Sequence, residues 1–144
     1  MTEVKVRRLE PDDFEKDFLE SLSALTVVDL TPEQAREVYK KIVDNPVYNI
    51  FVAELPDGQV VGTVMFLVTQ RFIHQGGKVG HIEDMAVKRE FQRKGIGSTL
   101  MRAAIEEARK RGCYKIILDC AERNVPFYEN LNFRKKEYQM RLDL

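Results

Sequence analysis

Residues 92–97 read Gln-Arg-Lys-Gly-Ile-Gly and stand between an apolar strand pattern, VGHIEDMAV at 79–87, and an amphipathic run, STLMRAAIEEARKRG at 98–112. A strand that reaches a helix through such a turn leaves the helix's first N–H groups facing outward, because the first four have no partner inside the helix. Gly95 and Gly97 remove Cβ atoms from the approach to those donors, and the helix dipole, Arg93 and Lys94 add positive potential. The segment therefore predicts a strand, an anion cradle and a helix in direct succession, shaped for a diphosphate. Taken alone, a basic glycine turn that merely caps a helix would read the same way. Its place among the other elements decides between the two.

Those elements are legible from periodicity. Residues 4–9, VKVRRL, alternate apolar with basic side chains as a half-buried strand does. Pro11, Asp12 and Asp13 suit a helix start, and Phe14, Phe18, Leu19, Leu22 and Leu25 keep helical spacing, which predicts a first helix over 11–25. Thr31-Pro32-Glu33-Gln34 is a capping box for a second helix with Ala35, Val38, Tyr39 and Ile42 on its apolar stripe, ending near Asn45 and Pro46. Apolar runs 47–55 and 59–70 flank Pro56-Asp57-Gly58 as a hairpin, and a strand over 79–87 follows a loop. In the third helix Leu100, Met101, Ala104, Ile105 and Ala108 form the stripe, and Gly112 ends it. A strand over 114–120, a short helix over 124–131 and a closing strand over 133–144 complete an α+β arrangement: one domain, 1–144, with a mixed, mainly antiparallel central sheet and helices on both faces.

Charge and composition exclude several functions. Lysine plus arginine balances aspartate plus glutamate at 23 each, so no overall positive field exists to hold nucleic acid. No window approaches the roughly 18 apolar residues of a membrane span, and the first residues carry no apolar leader pattern, so a cytoplasmic location away from membranes is expected. Cys113 and Cys120 lack zinc-like spacing, and His74 and His81 lack a third ligand, so no metal is expected. Neither cysteine has a base beside it in sequence, which disfavours a covalent thiol route. His81 reads as a packed strand residue and His74 as a loop cation able to meet phosphate.

Within the strand 79–87, Glu83 and Asp84 are adjacent and would point to opposite faces of a regular strand. Burying either is costly without a polar partner, so the pair predicts a β-bulge and a functional role.

Gln-x-x-Gly-x-Gly at 92–97, in this order of elements, resembles the GNAT acetyltransferases, whose loop binds the pyrophosphate of CoA. Asn124-Val125-Pro126-Phe127-Tyr128-Glu129-Asn130 before Leu131-Asn132-Phe133 resembles the GNAT segment that approaches the CoA arm. Within that superfamily, Arg71-Phe72-Ile73-His74, Gly80-His81-Ile82-Glu83-Asp84 and Cys113–Cys120 leading into Glu122-Arg123-Asn124-Val125 resemble the enzymes that acetylate glucosamine 6-phosphate. The resemblance implies acetyl-CoA as cosubstrate, contacted by Met85, Ala86, Val87, Gln92, Arg93, Lys94, Gly95, Ile96, Gly97, Ser98, Asn124 and Tyr128. It implies an amino-sugar phosphate contacted by Thr26, Arg71, Phe72, Ile73, His74, Glu83, Asp84, Asp119 and Cys120. Arg141 corresponds to an arginine given to the neighbouring subunit's sugar phosphate, which implies a homodimer with shared active sites.

The chemistry required is transfer from a thioester to an amine that is largely protonated near neutral pH. Glu83 acting through water is the first candidate base and Asp119 the second. Tyr128 is the candidate acid for the leaving thiolate, and direct attack in a ternary complex is the expected route. Asn132 replaces the family's usual glycine, Pro126 lies in the first turn of its helix, and Arg71 stands where lysine is more frequent. A GNAT acting on another small amine or a protein N-terminus, or a non-catalytic CoA-binding module, would share the same cradle.

Overall fold

The computed structural model describes residues 2–144. Strands β1 (Lys5–Arg8), β2 (Tyr48–Glu54), β3 (Val60–Gln70), β4 (Lys78–Val87) and β5 (Cys113–Ile117) form one sheet in chain order, antiparallel except for the parallel β4–β5 pair. Helices α1 (Phe18–Ser21) and α2 (Pro32–Ile42) precede β2, a single left-handed turn, α3 (Ile73–Gly76), lies between β3 and β4, α4 (Ile96–Lys110) is the β4–β5 crossover, and α5 (Val125–Glu129) follows β5.

Each face of the sheet has its own core. On one, Phe66, Ile82, Ile96, Leu100, Met101 and Ala104 bury α4 against the strands, with Phe127 and Tyr128 of α5 packed alongside. On the other, Leu9, Phe14, Phe18, Ala35, Val52 and Val60 join the segment before α2, and α2 itself, to β1, β2 and β3. The Thr31–Gln34 capping box forms in both directions: Gln34 N donates to Thr31 Oγ1 at 3.2 Å and Thr31 N to Gln34 Oε1 at 2.9 Å.

Three expectations require correction. The single helix over 11–25 is instead a 3-10 turn (Pro11–Glu15), α1, and a second 3-10 turn (Leu22–Ala24), broken at Asp17 with φ +69°. Tertiary bonds take the groups that a continuous helix would need. The carbonyl of Lys16 accepts from Val60 N at 3.0 Å, and Asp17 Oδ2 accepts from Lys88 Nζ at 2.9 Å and Gln59 Nε2 at 2.8 Å.

The closing strand over 133–144 does not form, although its alternation is real: Tyr138, Met140, Leu142 and Leu144 are all almost fully exposed. An extended segment becomes a strand only when another edge pairs its backbone and another surface covers its apolar side, and a single copy of this chain supplies neither. Strand β5 and helix α5 are also shorter than expected, because β4 leaves β5 after the His81–Ile117 pair.

Candidate active site at the end of strand β4

The β4 bulge forms where the carboxylate pair predicts it. Met65 pairs with Glu83 and Thr63 with Ala86, so β4 holds one extra residue there, and Asp84 takes φ +47°. The extra residue switches the strand's phase: Ile82 packs into the α4 core, and after the bulge Met85 and Val87 do so. In a regular strand Asp84 would share the side of Ile82; here both Glu83 and Asp84 are exposed.

Past the bulge β4 has lost its neighbour. The β4–β5 ladder spans only Lys78–His81 on β4, so the outer edge of residues 82–87, with Met85, Ala86 and Val87, faces an opening between the two strands. At the end of that edge, Gln92 Nε2 donates to Val87 O at 3.0 Å, and Lys88, buried, donates from Nζ to Asp17 and reaches Glu20 Oε2 at 3.3 Å.

The cradle follows. Arg93 and Gly95 hold φ of +61° and +84°, and α4 starts at Ile96. Among the described residues, the first N–H past Gln92 to find an acceptor is that of Thr99, on Gly95 O at 3.1 Å. The amides of residues 93–98 stay free at the positive end of a 15-residue helix, above an open depression of about 320 Å³ lined by Thr2, Arg93, Lys94 and Gly95. Gly97 also has a packing task. A Cβ there would lie 2.9 Å from Met85 Cε and 3.3 Å from Phe127 Cζ, so its hydrogen lets β4 and α5 close on the helix.

Tyr128 stands on α5 beside the opening, half-buried, its ring edge-to-face with Phe127 at 4.9 Å and Phe133 at 6.0 Å. Burial raises its pKa, with a smaller contribution from Cys120, so the phenol is a protonated donor. Asn124 is the residue before α5, Pro126 sits in its first turn, and Asn132 takes φ +69°, the left-handed conformation that replaces the usual glycine.

On the opposite side of the opening the charges concentrate. Partial burial lifts the Glu83 carboxyl above its ordinary value, and Asp84 and Asp119 reinforce the shift. Asp119, exposed past the end of β5, accepts from Gln139 Nε2 at 3.1 Å. Arg71 Nε donates to Thr69 Oγ1 at 3.2 Å, and Arg71 Nη2 lies 3.4 Å from His81 Nε2.

Other expected contacts are dispersed. His74, at φ +51°, stacks on Tyr114 at 4.2 Å between ring centroids, while Phe72 and Ile73 face outward. Thr26 is exposed just past the 3-10 turn that packs against β4, and Cys120 is an exposed free thiol. Arg141 Nε donates to Asp143 Oδ1 at 2.7 Å, both side chains being exposed, and it meets neither Glu83 nor Asp119 in this chain. Lys88, Thr69 and Gln139 escaped the sequence reading. Lys88 carried a usable signal, as the first charge after an apolar strand, whereas the contacts of Thr69 with His81 and of Gln139 with Asp119 join residues more than ten positions apart.

Comparison with known proteins agrees with this geometry. The model of the acetyltransferase (GNAT) family matches residues 6–133. Glucosamine 6-phosphate N-acetyltransferase of Candida albicans is 37% identical over 136 residues, covering 93% of this chain and 91% of that protein. Glucosamine 6-phosphate N-acetyltransferase 1 of Dictyostelium discoideum is 36% identical, covering 98% and 91%. The crystal structure of glucosamine-6-phosphate N-acetyltransferase from Arabidopsis thaliana superposes with a TM-score of 0.93 at 33% identity, covering 98% of each chain.

Proposed function

The chain belongs to the acetyltransferase (GNAT) family, and from that premise we propose that it transfers the acetyl group of acetyl-CoA to the amine of D-glucosamine 6-phosphate, giving N-acetylglucosamine 6-phosphate and CoA. The observation that carries this reading is the run of free amides at 93–98 on the N-terminus of α4, one bulged strand away from the Glu83 carboxylate. An anion grip and a base with a raised pKa thus flank one opening.

Two side chains act on the reacting atoms in this reading. Glu83, directly or through a water, takes a proton from the substrate ammonium. The amine nitrogen then bonds to the acetyl carbonyl carbon, and the carbon–sulfur bond breaks. Tyr128 protonates the departing sulfur, and the second proton lost by nitrogen as the amide forms restores the phenol through solvent. Asp84 and Asp119 hold the sugar, Arg71 and His74 meet its phosphate, and the residues named for the cosubstrate line the β4 edge and the α4 cradle. Thr26, Phe72, Ile73 and Cys120 complete the sugar site in this reading, Cys120 beside Tyr128.

The homodimer with shared sites belongs to the same proposal. Its support is the stripe of Tyr138, Met140, Leu142 and Leu144, exposed along an extended tail whose backbone has no strand partner among the described residues. A second copy would supply that partner, and Gln139 and Arg141, on the alternate side, would then face carboxylates and sugar phosphate. Both cysteines are free thiols, which suits the reducing cytoplasm. The two cores share one sheet, which supports a single domain.

Thiol release from acetyl-CoA by the purified chain tests the assignment. Turnover with glucosamine 6-phosphate far above that with polyamines, amino acids or peptides is the expected result. Stronger turnover of a peptide would reassign the acceptor, and CoA binding without thiol release on any amine would make the chain a binding module.

A further inference from the structure

His81 lies on β4 two residues before the candidate base, and no chemistry above uses it. Its Nε2 faces two groups from the neighbouring strand: Thr69 Oγ1 at 3.2 Å and Arg71 Nη2 at 3.4 Å. Arg71 Nε in turn donates to Thr69 Oγ1 at 3.2 Å. The three side chains close a triangle that engages two nitrogens, Nε and Nη2, on one edge of the guanidinium.

The Arg71 contact sets a condition on the imidazole. A guanidinium has only hydrogens to offer, so the Arg71–His81 contact is a hydrogen bond only while Nε2 carries a lone pair. The Arg71 contact thus requires a neutral ring with its proton on Nδ1, and the Thr69 hydroxyl hydrogen turned to Nε2 instead of to Val79 O, 3.4 Å away. Partial burial, followed by the charges of Arg71 and Lys115, holds the imidazole below its ordinary pKa, with Asp119 opposing. No hydrogen bond engages Arg71 Nη1 among the described residues, so that corner of the fork is open to an anion.

We propose that His81 and Thr69 are positioning residues that hold the Arg71 guanidinium in one orientation, so that its remaining N–H groups are pre-aimed at the phosphate of the acceptor. The inference rests on the acceptor reading above and deepens it. It also gives a reason for arginine at this position: a lysine ammonium, with one nitrogen, could not bond Thr69 and His81 and still present a second nitrogen outward. Pre-aiming a flexible cation removes part of the ordering cost of binding, so its loss should be read in KM for the sugar phosphate.

The test compares wild type, His81→Leu, His81→Gln, Arg71→Met and the His81→Leu/Arg71→Met double variant. His81→Leu is expected to raise KM for glucosamine 6-phosphate about fivefold, roughly 1 kcal/mol, while leaving KM for acetyl-CoA unchanged. His81→Gln, whose side-chain oxygen reaches the place of Nε2, should recover most of the loss. In the Arg71→Met background, His81→Leu should add nothing. Equal shifts in both KM values, or an undiminished effect without Arg71, would overturn the inference. The nitrogen spectrum of labelled His81 gives an answer independent of substrate: an unprotonated Nε2 at pH 7.5 is expected, and a protonated Nε2 defeats the proposal even if every variant folds poorly. A wild type that ignores glucosamine 6-phosphate but shows the unprotonated Nε2 would remove the acceptor assignment and leave the triangle standing.

Discussion

The side-chain amide of Gln92 reaches back to the carbonyl of Val87 at 3.0 Å, so the first residue of the anion cradle is tied to the last residue of β4. That bond bridges the turn between them and fixes where the cradle begins relative to the strand edge. A glutamine suits that place because its amide can donate to a carbonyl five residues back.

Gly95 tests the cradle directly. At φ +84° it stands in the left-handed region, where an added Cβ costs about 1–2 kcal/mol. Gly95→Ala is expected to raise KM for acetyl-CoA about tenfold while KM for glucosamine 6-phosphate moves little. An equal rise in both would show that the turn orders the whole site and not the cosubstrate alone.

Tyr128→Phe removes only the phenol oxygen and keeps the edge-to-face packing on Phe127 and Phe133. The expected outcome is a fall in kcat of about tenfold or more with acetyl-CoA binding nearly intact, the pattern of a group needed in the transition state. Unchanged turnover would remove Tyr128 from the mechanism.

How far the sequence reaches is visible in these same residues. Periodicity and caps located the hairpin, α2, α4 and the cradle, because the signals are local: a capping box, a glycine at the required φ, a stripe at helical spacing. The Glu83–Asp84 bulge was legible too, since two adjacent charges cannot both leave the core of a regular strand. The break at Asp17 was not, because its cause is a lysine 71 positions away and a carbonyl claimed by β3. The tail was misread for a different reason: its alternation marks a strand, but nothing local says which edge completes it. Gly97 carries the same lesson, its space being needed by Met85 and Phe127.

Arg141→Ala addresses that tail. With loss of a charge-assisted phosphate contact, KM for the sugar phosphate should rise much more than KM for acetyl-CoA. Mixing Arg141→Ala with Glu83→Gln protein should restore some activity if each active site takes one residue from each copy. No recovery would return Arg141 to its own chain.

As the proposed base, Glu83 should set the pH dependence. Its carboxyl is lifted chiefly by burial and then by Asp84 and Asp119, so the base form is lost at a higher pH than for a free glutamate. The acid limb of kcat/KM should therefore lie above the ordinary glutamate value of 4.5, and Glu83→Gln should abolish that limb together with most of the rate. If Asp119→Asn removes the limb while Glu83→Gln keeps it, the base is Asp119.

Arg7 offers a stability test far from the chemistry. Its guanidinium bonds both oxygens of the fully buried Asp13, at 2.7 and 2.9 Å, and also Glu54. Burial pushes the Asp13 carboxyl up, but the Arg7 hydrogen bonds and the backbone N–H of Glu10 outweigh it, and the net shift is downward. A carboxyl depressed in the folded state stabilises the protein above its unfolded pKa, near 3.8, and that contribution fades as pH falls through the lower folded value. Arg7→Met leaves Asp13 buried and unpaired, which costs about 3 kcal/mol near neutral pH. With Arg7 gone, burial dominates and the Asp13 pKa should rise above 3.8, so the variant should become less stable as pH rises past that value. Urea unfolding of both proteins between pH 3 and pH 7 measures this. The gap between them should widen as pH rises, and a gap that is flat across the range would show that the pair contributes packing and not charge.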